Sequence, residues 1–135
     1  MTVSRPRLLG VLETVLYYGS EQAEVVERFY EDVLGLRPIV RFETGIAFRA
    51  DRSVYLLFDR SKTSEQGRLA HAAAGSIHTC FLASADEYEG WKDHLSEQGV
   101  PLVAEITWKK GIRSFYFHDP AGNLLEIAEG DLWPP

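Results

Sequence analysis

The chain has little of several things that would narrow its function at once. Among 135 residues there is one cysteine, Cys80, so no intramolecular disulfide can form and no Cys-rich structural zinc site can be assembled. No cluster of Lys and Arg offsets a formal net charge of −6, and the sequence pI is near 5.2. That balance opposes binding to nucleic acid or to an anionic membrane surface. Long apolar runs are missing too: the N-terminal stretch MTVSRPRLLGVLETVLYY carries Glu13 inside its apolar part, leaving neither a signal-peptide core nor a membrane span. A cytoplasmic protein is expected, with neither nucleic acid nor membrane among its partners.

What is present suffices to fold. Hydrophobic residues make up 45% of the chain and include three Trp, enough for one compact domain or for two small half-modules that share a core. In the first half, GVLETVLYY reads as a strand closed by Gly19. Ser20 stands where a helix would be capped, Ala23, Val26, Phe29, Tyr30 and Val33 recur at helical spacing, and Gly35 ends the helix. LRPIVRFE, GIAFRA and SVYLLFD follow as three short strands, giving the order βαβββ.

The second half repeats that order. SIHTCFLA is a strand, Ser84 and Glu87 predict a capping box for a helix that packs Tyr88, Trp91 and Leu95, and Gly99 ends it. VPLVAEITW, IRSFYFHD and NLLEIAE supply three more strands, the last two joined by the Pro-Ala-Gly turn at 120–122. Superposing LETVL on IHTCF brings Glu13 onto His78. The expected division is therefore a first module at 1–59, a polar, Gly/Ala-rich linker at 60–75 and a second module at 76–135. Neither module can bury its own sheet face, so the two are expected to close on each other around a space fit for a ligand.

Three polar residues break apolar strand patterns: Glu13, His78 and Glu126. Alternation places Glu13 on the face of Val11, Val15 and Tyr17, and His78 on the face of Cys80 and Leu82. An unpaired buried carboxylate is costly, so Glu126 among Leu124, Leu125, Ile127 and Ala128 must be solvated, paired or bound to a metal. Two Glu and one His suit a divalent ion such as Mn²⁺, Fe²⁺, Zn²⁺, Ni²⁺ or Co²⁺. The fourth position that the duplication predicts falls near Leu57, which cannot coordinate and leaves room for water or substrate. Taken singly, a strand Glu is more often at an edge or paired with Arg, and a strand His more often hydrogen-bonded in a core.

The opening LETVLYY, the helix ERFYEDVLGL, the strand GSIHTCFLA and the hairpin RSFYFHDPAGNLLEIA resemble the vicinal-oxygen-chelate superfamily, which holds glyoxalase I, extradiol dioxygenases, fosfomycin-resistance thiol transferases and bleomycin-binding proteins. The resemblance spans nearly the whole chain and implies an α+β fold in which two βαβββ modules form an open, U-shaped mixed-sheet cavity around a metal. By position it implies Glu13, His78 and Glu126 as ligands. Glu13 stands where the family more usually has His, so the set differs from the two-His, one-carboxylate iron site of the extradiol enzymes and leans toward harder ions. The implied activity is metal-dependent lyase, isomerase or dioxygenase chemistry on a small molecule that chelates through neighbouring oxygens.

Two alternatives stand beside it. TWKKG followed by SFYF and EIAEGDL is similar to the fosfomycin-type thiol transferases, with Lys109 where a phosphonate-contacting lysine would lie, although the segment 109–113 is short for the potassium loop of those enzymes. A non-catalytic binding module of the bleomycin-resistance type would instead use Trp108, Tyr17, Tyr55 and Tyr116 as an aromatic lining and needs no convergent ligands. The hairpin register sets Tyr116 opposite Glu126 and Ser114 opposite Ala128, so Ser114, Tyr116 and Glu126 are expected on the cavity face, with Tyr116 able to bond a substrate oxyanion. Arg113 is expected on the other face, paired with a carboxylate, or at the mouth of the site. His71 in the linker is a candidate lid residue and Trp108 a rim residue, whereas His94 and His118 read as structural. Unpaired strand edges predict a homodimer, with metal ligands drawn from one chain or from both.

Overall fold

The computed structural model describes residues 5–135; the first four, with which the N-terminal stretch read above begins, lie outside the described residues. Eight strands form two four-stranded sheets. The first is built from β1 (Glu13–Tyr18), β2 (Arg37–Arg41), β3 (Gly45–Ala50) and β4 (Ser53–Asp59) in the order β1-β4-β3-β2. The second, from β5 (His78–Leu82), β6 (Ala104–Thr107), β7 (Arg113–His118) and β8 (Leu124–Ala128), has the order β5-β8-β7-β6. In each, the first strand of the module runs parallel to the last and the other pairings are antiparallel. These mixed sheets are the two-module α+β class expected from the sequence. Among the described residues no helix is long and apolar enough to cross a membrane.

The helix of the first module begins as a 3-10 turn at Ser20–Gln22, continues as α1 (Ala23–Arg28) and widens to a π-turn at Phe29–Val33. Gly35 ends it at φ 71°, as its sequence position predicts. Ser20 does not cap it. Gly19 holds that position, and the Ser20 hydroxyl donates to Asp59 Oδ2 at 2.7 Å, because a buried carboxylate is the stronger acceptor. Burial alone would raise Asp59, but the hydroxyls of Ser20 and Ser61, the Ser61 N–H and Lys62 together hold it below the usual carboxylate range. Asp59 also caps the short helix α2 (Arg60–Thr63), so the 60–75 stretch read as the linker starts as a helix and adds a 3-10 turn at Gly67–Leu69. In the second module, Ser84 precedes a 3-10 turn and α3 (Tyr88–Glu97), yet the predicted capping box does not form. The Ser84 hydroxyl instead meets Glu87 Oε1 at 3.4 Å.

One core serves both modules. Leu16, Tyr18, Phe48, Tyr55 and Leu57 from the first sheet and Phe115, Phe117, Leu125 and Ile127 from the second pack with Val26, Phe29, Tyr30, Tyr88 and Leu95 from the helices. Aromatic rings fill the meeting ground: Phe29 lies 6.4 Å from Phe117, and Tyr55 lies 5.3 Å from Phe81, centroid to centroid. Tyr30 Oη donates to Asp119 Oδ2 at 2.7 Å, tying the first helix to the β7–β8 turn. These faces of the sheets are thus consumed in packing, and any ligand is left to the opposite faces. On β5 that opposite face is open, with His78, Cys80 and Leu82 all exposed.

β3 and β4 approach each other so closely at Gly45 that an added Cβ would collide with the Leu57 carbonyl oxygen and lie 2.9 Å from Phe58 Cα. Both obstacles are backbone, which cannot swing aside. Gly45→Ala is therefore expected to cost about 2 kcal/mol, read as a fall of about 7 °C in Tm by calorimetry.

Candidate metal and substrate site

Parallel pairing of β5 with β8 puts Cys80 opposite Glu126, and antiparallel pairing of β7 with β8 puts Tyr116 opposite it from the other side. Glu126 lies only 4% exposed. His78 Nε2 stands 3.1 Å from Glu126 Oε1, and the Tyr116 ring stacks on the imidazole with centroids 5.9 Å apart. The Tyr116–Glu126 and Ser114–Ala128 registers are those the hairpin turn predicts.

The hydrogen bonding of the pair is incomplete. His78 Nδ1 lies 2.8 Å from the Leu124 carbonyl oxygen, which only accepts, so Nδ1 carries the proton. In a neutral ring Nε2 is then an acceptor, and it faces Glu126 Oε1, another acceptor. A proton or a cation has to stand between them. The other carboxylate oxygen, Glu126 Oε2, is buried without a hydrogen-bond partner. Buried polar atoms in native proteins are seldom left so, and a metal ion is one group that would satisfy both oxygens and the ring nitrogen. Fixing the outer imidazole N–H on a carbonyl is also how metal-ligating histidines are held.

Glu13 does not complete a set of three within one chain. It sits exposed at the start of β1, paired with Val54 of β4 in the first sheet, whereas His78 and Glu126 are in the second. Among the described residues no three His, Cys, Asp or Glu side chains are grouped so as to hold a metal ion. The repeat equivalent of Glu126 is also one residue from where the sequence placed it: Cys80 pairs with Glu126 as Val15 pairs with Leu56, so Leu56 and not Leu57 is the counterpart. Leu57 lies on the core side of β4. Either leucine is incapable of coordination.

A cavity of about 270 Å³ opens over the pair, lined by His78, Trp108, Tyr116, Glu126, Leu132 and Trp133. A larger depression of about 480 Å³ along α3, bordered by Asp86, Glu87, Gly90, Trp91 and His94, holds no comparable pairing. There His94 Nε2 is already 2.7 Å from the Val33 carbonyl oxygen. The His78–Glu126 pairing belongs to the smaller cavity.

A family model described as glyoxalase/bleomycin resistance protein/dioxygenase superfamily matches residues 14–127, most of the chain. The chain belongs to that superfamily. Among solved structures, lactoylglutathione lyase from Agrobacterium tumefaciens is 32% identical with a TM-score of 0.87, covering 96% of this chain and all of that one. Virulence protein STM3117 of Salmonella typhimurium is 29% identical over 113 residues, 76% of this chain and 72% of that protein. Glutathione transferase FosA of Serratia marcescens is 28% identical over 108 residues, 77% of this chain and 70% of that protein.

In this superfamily member the remaining candidates divide. Trp108 lines the cavity, its indole Nε1 donating to Ser114 Oγ at 2.9 Å. Ser114 is fully buried and lines no part of the cavity; its oxygen accepts from Trp108 and its hydroxyl lies beside the Tyr116 phenol, so it orients those two side chains. Arg113 points to the other face: it donates to Glu129 and Glu89 at 2.8 to 3.1 Å and lies 4.6 Å over the Tyr88 ring. Lys109, in the β6–β7 turn, is exposed and lines no part of the cavity. His71 covers the first sheet, 2.6 Å from Tyr17 Oη and edge-on to Phe58, on the face that also carries Glu13. Burial and then the neighbouring Glu126 charge raise Tyr116, so its phenol is a neutral donor at physiological pH. Burial and then Glu126 push the Cys80 thiol up to about 12, so it too is neutral.

Sequence reasoning missed Leu132 and Trp133. Their only signal was two large apolar residues placed, against expectation, in a terminal segment of otherwise turn-forming residues.

Proposed function

We propose that the chain is a metal-dependent enzyme acting on a small molecule with two neighbouring oxygens, by lyase, isomerase or dioxygenase chemistry. His78 and Glu126 would hold a divalent ion such as Mn²⁺, Fe²⁺, Zn²⁺, Ni²⁺ or Co²⁺, and Glu13 of a second copy of the chain would supply the third ligand. The observation that carries this reading is the buried Glu126 carboxylate, with one oxygen facing the imidazole Nε2 and the other lacking a partner in hydrogen-bonding geometry, although the Cys80 thiol and Tyr116 phenol lie beside the carboxylate. A homodimer is supported by Val11 and Leu12, which lead into Glu13 and are 78% and 70% exposed, an apolar surface that a second copy would cover. A divalent ion at this place supplies Coulombic stabilisation for negative charge developing on a substrate oxygen. Tyr116 would donate a hydrogen bond to a substrate oxygen, Glu126 Oε2 would accept a proton from substrate with Oε1 alone left to the ion, and Trp108 would wall the reacting atoms on one side.

A second reading is favoured by the two-ligand count within one chain: a binding module that holds an aromatic ligand without chemistry. The fosfomycin-type transferase reading has less support, because no Lys or Arg lines the cavity to meet a phosphonate. A thermal-shift series of metal-stripped protein with each of the five ions separates the first two. The enzyme reading expects a gain on the order of 10 °C at about a hundredfold excess over Kd; a flat response to all five ions would leave the binding module.

A further inference from the structure

The C-terminal segment after β8 is held in place by polar contacts of its own. Trp133 N donates to Asp131 Oδ1 at 2.9 Å, and Lys110 Nζ donates to the Trp133 carbonyl oxygen at 2.7 Å. These bonds lay Leu132 and Trp133 against the exposed face of the second sheet. There they wall the His78–Glu126 cavity on one side, and a second cavity of about 220 Å³, bordered by Cys80, Phe81, Leu82 and Asp131 among others, on the other. Trp133 remains 73% exposed. A tryptophan tethered by its backbone with its ring open to water is placed to meet an apolar surface that is not part of this chain.

Trp108 faces the same cavity with its ring orientation set by Ser114. Two indoles and the Tyr116 phenol therefore line a space whose formally anionic groups are Glu126 and, on the far side of the segment, Asp131. No Lys or Arg lines either cavity, and Arg113 is engaged by Glu89 and Glu129 on the opposite face. A substrate carboxylate or phosphonate extending past the reacting oxygens would meet no cationic side chain in the lining, and the nearest, Lys110, is engaged by the Trp133 carbonyl oxygen, so the anion would lose hydration without a direct partner.

We infer that the outer part of this cavity selects an uncharged, flat, apolar group on the substrate, and that Leu132 and Trp133 are the residues that select it. The inference rests on the proposal that the His78–Glu126 cavity is the substrate site, but it does not depend on the metal. It narrows the substrate class to small molecules with an aromatic or similarly flat tail beside the chelating oxygens.

The test uses full-length protein in EDTA and ligand-observed NMR to measure Kd for two probes of matched size, benzyl alcohol and benzoate. Benzyl alcohol is expected to bind at least about fivefold tighter than benzoate, the anion being repelled by Glu126. Trp133→Ala, at an exposed position, is expected to keep the fold and weaken benzyl alcohol about threefold to tenfold, and Trp133→Phe to restore most of the affinity. Benzoate binding as tightly as benzyl alcohol, an unchanged affinity in Trp133→Ala, or no benzyl alcohol binding to the wild type would each overturn the inference. Because no metal is present, these results stand apart from the metal series: a flat thermal response with selective benzyl alcohol binding would sink the enzyme and keep the selective wall.

Discussion

Glu126→Ala is expected to abolish metal binding, with metal content after dialysis falling to background and the metal-induced rise in Tm lost. The cause is the removal of both the oxygen that faces His78 Nε2 and the one that has no partner in the protein. Glu13→Ala is expected to give the same loss if the third ligand comes from a second copy. The two variants then allow a decisive mixture. When Glu13→Ala and Glu126→Ala chains are unfolded together and refolded in equal amounts, half of the dimers combine one of each, and in these one of the two sites is intact. Elemental analysis is expected to find about a quarter of the wild-type metal. Background metal in the mixture, with metal also lost in Glu13→Ala alone, would confine the site to one protomer; wild-type metal in Glu13→Ala alone, with about half of it in the mixture, would remove Glu13 from the site. Undiminished metal in Glu126→Ala would place it elsewhere.

Asp119→Ala is expected to destabilise the protein by about 3 kcal/mol or more in urea unfolding. Asp119 is buried in the β7–β8 turn, where its Oδ1 accepts from the Ala121 and Asn123 N–H groups, both at 2.9 Å. Its Oδ2 accepts from Tyr30 Oη at 2.7 Å and from Asn123 Nδ2 at 2.9 Å. Truncation strands four donors at once, and the cost of a buried unpaired donor exceeds the worth of the bond it made. Tyr30→Phe, which removes one donor and keeps the ring, is expected to cost about 1 to 2 kcal/mol. A double-mutant cycle between the two positions should show clear non-additivity, since they touch. Additive effects would mean that the Tyr30–Asp119 bond does nothing to join the modules.

Much of the fold was legible because strand alternation and helical spacing are local. All eight strands, the two module helices and their ends at Gly35 and Gly99 follow from the order of apolar residues and from the need for a left-handed residue at a helix end. Caps were less legible. Ser20 and Ser84 have the right chemistry at the right spacing, but Asp59 and the Glu87 side chain compete for the same hydroxyls, and only one of those competitors is near in sequence. The His78–Glu126 pair was foreseeable from two polar residues interrupting apolar strands. Ser114 was on the expected strand and still out of a ligand's reach, because it is fully buried behind Trp108, which donates to its oxygen.

By itself the order of residues determined the repeat, the strand faces and the presence of ligand-capable side chains on them, since each depends on the alternation of neighbours along one strand. Tertiary structure alone decided that Glu126 meets His78 while Glu13 stands apart, that Leu56 and not Leu57 is the mirror of Glu126, and that the last residues wall the cavity. Those outcomes depend on the register between strands and on which sheet face the core consumes, and both are settled by packing between segments far apart in the chain.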